Sequence, residues 1–214
     1  MIQTTSSFPN AAISEDESIL ADISEPSKNI AIYQRNIDQL GRELHQLTEQ
    51  KIEFRASGSV ADILSQLRDY SQEYLPPSPS LIEDVTHLLG LFQQTTQASS
   101  FRVFLATVST NMCRKFHTDV NELRMLCTYL GPGTLWAPDE AVEPVDSLAR
   151  GKSREITVDL SRAQQASTGD VVILKGALYP ESNPILHRSP TIEENGDKRL
   201  LLRIDINESL DLLY

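Results

Sequence analysis

From Phe101 to Ile206 the chain is a succession of short β-type runs: Phe101–Ser109, Met112–Phe116, Leu123–Leu130, Thr134–Trp136, Arg154–Val158, Val171–Leu174, Ile185–His187 and Arg199–Ile206. Between them stand Gly131-Pro132-Gly133, Pro144, Gly169-Asp170 and Glu194-Asn195-Gly196-Asp197, residues that supply the backbone angles of turns and hairpins. So many short strands with such regular punctuation predict an all-β barrel or a two-sheet jelly roll.

The preceding residues have a different period. Segment 1–27 is rich in Ser, Thr, Asp and Glu and poor in aromatics, a composition expected of a flexible N-terminal arm. Segment 28–100 reads as mainly helical. After a strand-like Asn29–Tyr33, the residues Ile37, Leu40, Leu44 and Leu47 recur at three- and four-residue steps, as on one face of a helix. Lys51–Arg55 alternates like a strand. A second helix is expected from about Ser59 to Tyr74, ending before Pro76-Pro77. A third is expected to start at Ser80, which can cap it because Glu83 lies three residues later. Segment 101–214 would then be the β core, with the helical part packed on it.

Composition narrows the function. With 19 Lys and Arg against 30 Asp and Glu, the formal charge of −11 disfavours binding to a phosphate backbone, so no nucleic-acid partner is expected. Cys113 and Cys127 form no CxxC pair and read as reduced thiols of a cytoplasmic protein. No stretch is apolar and long enough for a membrane span, and the N-terminus lacks the pattern of an export signal.

The chemistry concentrates on three residues. His117 and Asp119 are two apart, so on a strand they present an imidazole and a carboxylate to the same side. His187 follows on a later strand and completes a set of two imidazoles and one carboxylate, the facial arrangement of non-haem Fe(II). Such a site leaves a divalent ion with net positive charge, ready for an anionic chelator such as 2-oxoglutarate. A distal carboxylate would need a cation, and Lys198, Arg199 and Arg203 follow His187. Arg199, Leu201 and Arg203 share one strand face, opposite Leu200, Leu202 and Ile204. A bidentate guanidinium suits that role better than a lysine. Cys113 shares strand parity with His117 and Asp119, so it reads either as a soft fourth ligand favouring zinc or as a buried inert thiol. His45 and His87 lie on helical segments and read as surface residues.

The order His117-x-Asp119, then Cys127-Thr128-Tyr129-Leu130 with Gly131-Pro132-Gly133-Thr134, then Gly169–Leu174, His187 and a basic strand, resembles the core of 2-oxoglutarate/Fe(II)-dependent oxygenases. The chain is also similar to a bacterial domain-of-unknown-function family, through FHTDVNELRMLCTYLGPGTLWAPD and GDVVILKG…HRSP…RLLLRID. The oxygenase resemblance implies an α+β protein with a double-stranded β-helix, jelly-roll or cupin-like core. It implies His117, Asp119 and His187 as iron ligands and Arg199 or Arg203 as the co-substrate anchor. Tyr129, Trp136, Arg124 and Arg188 become candidates for the pocket wall or for bonds that orient the ligands, and no catalytic residue is assigned beyond the metal site. The implied activity is C–H oxidation of a small-molecule or protein substrate. Two other readings stand beside it: a non-catalytic zinc- or iron-binding cupin-like module in metal homeostasis, and an interaction domain that has lost its metal.

Overall fold

The structure is a computed structural model and describes residues 8–143, 157–180 and 183–207. It is a mixed α and β protein with one large sheet. The strands are β1 (Ala11–Ser14), β2 (Ile30–Tyr33), β3 (Glu53–Gly58), β4 (Phe101–Val108), β5 (Leu123–Leu130), β6 (Leu135–Trp136), β7 (Gln164–Gln165), β8 (Val171–Lys175), β9 (His187–Arg188) and β10 (Arg199–Ile206). The helices are α1 (Gly41–Leu47), α2 (Val60–Tyr74) and α3 (Pro79–Thr96). Seven strands form the large sheet in the order β1-β2-β8-β5-β10-β4-β3, and β7-β6-β9 form a small one. Among the described strands only the β1–β2 pair is parallel.

Alternation on the central strands sets the layers. Leu200, Leu202 and Ile204 of β10 and Met125 and Cys127 of β5 pack with Val85, Leu88 and Phe92 of α3 and Ile63 and Leu67 of α2. The opposite parity, with Leu126 and Leu201, meets Trp136 of the small sheet. The large sheet is therefore the middle layer, with helices on one face and the small sheet on the other. Antiparallel pairing of β5 with β10 slips at one point: Leu200 faces Leu130, whereas Leu201 faces Thr128. Tyr129 is the extra residue of this bulge, and both Tyr129 and Leu130 face the helical core.

Several expectations need correction. Residues 11–24 are an integral part of the fold: β1 is the edge strand of the large sheet, and a 3₁₀ helix over Glu17–Ser24 buries Leu20 and Ile23. Four well-placed apolar groups outweigh a polar average. The segment 28–100 also supplies β2 and β3 to the sheet of the β core. Met112–Phe116 is not a strand; its neighbour across the bridge at His187 runs into Pro190, which has no N–H to extend a ladder. Of the expected strand Arg154–Val158, residues 154–156 lie outside the described residues, and Val158 forms one isolated bridge with Val142.

The helix starts divide in an instructive way. Ser59 and Asp62 form a full capping box on α2. For α3 the start is Ser78-Pro79, and the free N–H groups of Ser80 and Leu81 donate to the Glu43 carboxylate at 3.1 and 2.9 Å. That cap comes from another helix, beyond the reach of a local motif. Among the described residues, no helix is long and apolar enough to cross a membrane.

One buried ion pair ties the helical layer to the sheet. Arg35, just after β2, donates bidentately to Asp84 of α3 at 2.6 and 2.8 Å, and its Nε donates to the Gly169 carbonyl at 2.8 Å. The Tyr129 hydroxyl of β5 donates to the same Asp84 carboxylate at 2.6 Å. Asp84→Ala would leave the Arg35 charge buried without its partner, and a loss of about 3–5 kcal/mol of unfolding free energy in a denaturant titration is expected.

Candidate metal centre

Asp119 sits in the loop between β4 and β5, and that loop is held from three sides. The Asp119 and Asn121 carbonyls accept from Ala177 N and Leu178 N at 2.8 and 2.9 Å. Gly176 packs so close that a Cβ there would lie 2.2 Å from the Asn121 carbonyl oxygen, so glycine is required. Asn121 Nδ2 donates to Asp205 of β10 at 3.1 Å. His117 and His187 exchange reciprocal backbone hydrogen bonds of 3.1 and 3.0 Å, which sets their side chains next to each other with ring centroids 4.6 Å apart.

The three side chains converge. His187 Nε2 is 3.3 Å and His117 Nε2 is 3.7 Å from the Asp119 carboxylate, and one ligand atom from each residue lies within 4.8 Å of the others. Donors about 2.1 Å from one ion and at right angles stand about 3 Å apart, so the His187 spacing is within a few tenths of an ångström of that and the His117 ring needs a larger inward shift to share the ion. Nδ1 of His117 faces the Lys115 carbonyl at 3.2 Å, and Nδ1 of His187 faces the Ile185 carbonyl at 3.3 Å. With Nδ1–H donating to a carbonyl, loss of the proton that Nε2 shares with Asp119 leaves each ring an Nε2 lone pair on that side, the tautomer that a metal ligand needs. The donor set fits iron or zinc equally in charge. Cys113 is not part of this cluster, and burial pushes its thiol above the usual range, which suits the inert reading.

Around the ligands runs a chain of charge. Arg124 Nη1 lies against Asp119, Arg124 Nε donates to Asp205 at 2.6 Å, and Arg203 Nε is 3.2 Å from the other Asp205 oxygen. Burial alone would raise the Asp119 carboxyl, but hydrogen bonds from both imidazoles and the Arg124 charge hold it well below the ordinary carboxylate range. The hydrogen bond to Asp119 raises His117, outweighing the opposing effect of burial.

Arg199 stands apart from that chain. It is 2% exposed, its Nη2 donates to the hydroxyls of Thr128 at 2.9 Å and Thr134 at 3.4 Å, and its Nε has no hydrogen-bond partner. No carboxylate pairs with it among the described residues, and desolvation pulls its guanidinium down to about 10. Its depth is fixed by the turn at Gly131, whose φ is +76° and whose missing side chain admits the Lys198 carbonyl. A cavity of about 60 Å³ joins the two features, with His117, His187, Thr134 and Arg199 all on its wall.

Other candidate residues fall elsewhere. Tyr129, expected near the co-substrate, is on the helical face of β5, in step with Met125 and Cys127, and bonds Asp84. Trp136 packs edge-on to Phe8 in the core between the sheets. Arg188 lines the cavity, with its guanidinium 5.5 Å from the Phe116 ring. Lys198 pairs at the surface with Glu49. His45 is exposed, and His87 meets Glu17 at 2.9 Å on the surface. Sequence assigns no role to Thr128 or Thr134, although Thr128 shares face parity with Arg124; Asp205, one of the acidic neighbours open to Arg199 or Arg203 as an ion-pair partner, pairs with Arg203.

Two outcomes follow. Tyr129→Phe is expected to lower stability by about 1–2 kcal/mol in denaturant while leaving metal affinity unchanged in a competition titration. The titrating groups set opposite pH trends. The lowered Asp119 stabilises the metal-free protein above about pH 4, a contribution lost as pH falls, and the raised His117 stabilises it below about pH 6.5, a contribution lost as pH rises through its folded value. Metal must displace the His117 proton, so metal affinity should fall by at least tenfold between pH 7.5 and 5.5, and chelation should move the pH of maximal stability downward.

No curated protein sequence matches the chain. Among solved structures it is similar to the dioxygenase for auxin oxidation 1 of Arabidopsis thaliana in its 2-oxoglutarate complex, at 10% identity and a TM-score of 0.46 over 92% of this chain and 91% of that one. It is also similar to a Pseudomonas putida prolyl-4-hydroxylase, at 10% identity and a TM-score of 0.41 over 88% of this chain and 96% of that one. These values are too low for residue-by-residue correspondence, and the metal centre stands on its own side chains. Sequence, by contrast, assigns the family: residues 14–205 match one family across nearly the whole chain, and the protein belongs to the family described as "Protein of unknown function (DUF1826)".

Proposed function

We propose that this chain is an Fe(II)- and 2-oxoglutarate-dependent oxygenase built on a double-stranded β-helix core. His117, Asp119 and His187 would hold the metal. Arg199 would hold the distal carboxylate of the keto acid. The observation that carries this reading is the buried Arg199 guanidinium, without a counter-charge, on the wall of a small cavity that His117 and His187 also line. A buried unpaired cation is costly, and the cost is offset when a ligand carboxylate takes the place. Thr128 and Thr134 orient the guanidinium fork and leave its Nε for an incoming oxygen.

When bound, Fe(II) supplies oxidation of a substrate C–H bond to an alcohol by molecular oxygen, with 2-oxoglutarate converted to succinate and carbon dioxide. The chain's own residues prepare the place. The two backbone carbonyls fix the imidazole tautomers, and Arg124 and Asp205 hold the Asp119 carboxylate in position. Leu126 and Leu201 form the apolar side of the cavity and limit water. Its small size leaves no room for a substrate as well, which must approach from outside it. A non-catalytic metal module would give the buried Arg199 nothing to do, which is why the oxygenase reading is preferred to that alternative.

Anaerobic addition of Fe(II) and then 2-oxoglutarate to the metal-free protein should produce the weak visible charge-transfer band of the chelate. In Arg199→Gln, 2-oxoglutarate should bind at least tenfold more weakly with metal affinity retained. Normal metal binding with no band in the unaltered protein would leave only the metal-binding module.

A further inference from the structure

The face of the large sheet that carries the metal centre continues past it into a cleft of about 500 Å³. Arg55, Arg102, Arg124 and Arg203 line it, and Asp205 is its one acidic lining residue. In a chain of net charge −11 this is a pronounced local excess of positive charge. Strand register builds it. Arg55 of β3 pairs across to Phe104 of β4, and Phe104 to Arg203 of β10; one rung away, Ser57 pairs to Arg102, Arg102 to Asp205, and Asp205 to Arg124. Residues paired in this way share a face, so the four guanidiniums form a two-rung grid.

Two of the four are already engaged at one end. Arg124 is taken up by Asp119 and Asp205, and Arg203 leans on Asp205. Arg102 has no ion-pair partner among the described residues, and its Nε is buried without a hydrogen-bond partner. Arg55 and Arg203 lie over Phe104, with guanidinium carbons 4.4 and 5.3 Å from the ring centre, which holds both planes in place. Arg55 also meets Glu53 at 3.3 Å in a solvent-exposed pair that competes weakly. Ser57 and Gln66 add neutral polar groups at the rim. Arg124 and Arg203 line both this cleft and the cavity at the metal ligands, so a molecule seated here has one end beside the metal centre.

We infer that this cleft holds the substrate by a phosphate group, placing the uncharged remainder toward the metal centre, so that the molecule oxidised is a small phosphate-bearing compound. The inference rests on the oxygenase reading for the word substrate, but the phosphate site itself does not. Several guanidinium forks facing one space match the multiple oxygens and double charge of phosphate, whereas a single carboxylate would engage only one fork.

Inorganic phosphate is the probe. Calorimetric titration of the metal-free protein at fixed ionic strength should show saturable binding, at least tenfold tighter than acetate. Arg102→Gln should weaken it at least tenfold, Arg102→Lys less, and Arg199→Gln and His187→Ala should leave it unchanged; circular dichroism confirms that each variant is folded. With Mn(II) in the metal site, the phosphorus resonance of phosphate should broaden in a saturable way that Arg102→Gln removes. No saturable binding, binding equal to that of acetate, or binding that survives both Arg102→Gln and Arg55→Gln would overturn the phosphate site. Binding without Mn(II)-dependent broadening, in protein that does take up Mn(II), would overturn its link to the metal centre. Failure to take up Mn(II) with phosphate binding intact would instead sink the oxygenase reading.

Discussion

The two-residue period of β5 and β10 governs both halves of this protein. On one parity these strands supply the aliphatic groups against which the helices pack. On the other they present Arg124, Thr128, Arg199, Arg203 and Asp205, a polar set that could not be buried against helices without unpaired charge. The small sheet covers part of that polar face and brings His187 to it from β9. A register slip of one residue would exchange the two sets, so packing and site chemistry hold each other in place. The bulge at Tyr129 absorbs one residue, so Leu130 as well as Tyr129 joins the helical layer while Thr128 stays toward Arg199.

Charge is arranged in a gradient along this face. At one end, Asp119, Arg124, Asp205 and Arg203 neutralise one another through direct contacts, which keeps the Asp119 carboxylate ionised despite its burial. At the other end, Arg199 is buried with only hydroxyl partners. Structural ion pairs explain the first arrangement completely. They do not explain the second, because a residue kept only for packing would be more stable as methionine or leucine in the same place. A buried guanidinium with no counter-charge supports the binding role proposed for Arg199.

Much of this was legible in the sequence where the signal is local or periodic. The exact span of β10, the helix that follows Ser59, and the shared parity of Arg199 and Arg203 follow from alternation and near-neighbour chemistry. The convergence of His117, Asp119 and His187 was legible from ligand type and spacing, although the segment before His117 is irregular rather than a strand. What could not be read was set by distant partners. Glu43 caps α3 from another helix, β1 joins an edge formed by β2, and Leu130 is brought to the helical face by a bulge that exists only through pairing with β10. The choice between Arg199 and Arg203 also needed the third dimension, since it depends on Asp205 lying beside one and not the other.

The central claim is that His117, Asp119, His187 and Arg199 form one site for a metal ion and a dicarboxylic keto acid. Anomalous diffraction at a metal absorption edge, from crystals grown anaerobically with Fe(II) and 2-oxoglutarate, tests it directly. The account predicts one strong anomalous peak between the two imidazoles and Asp119, with keto-acid density running from it to a carboxylate against Arg199. A peak elsewhere, or a metal at the three ligands with the Arg199 end of the cavity empty, would contradict it.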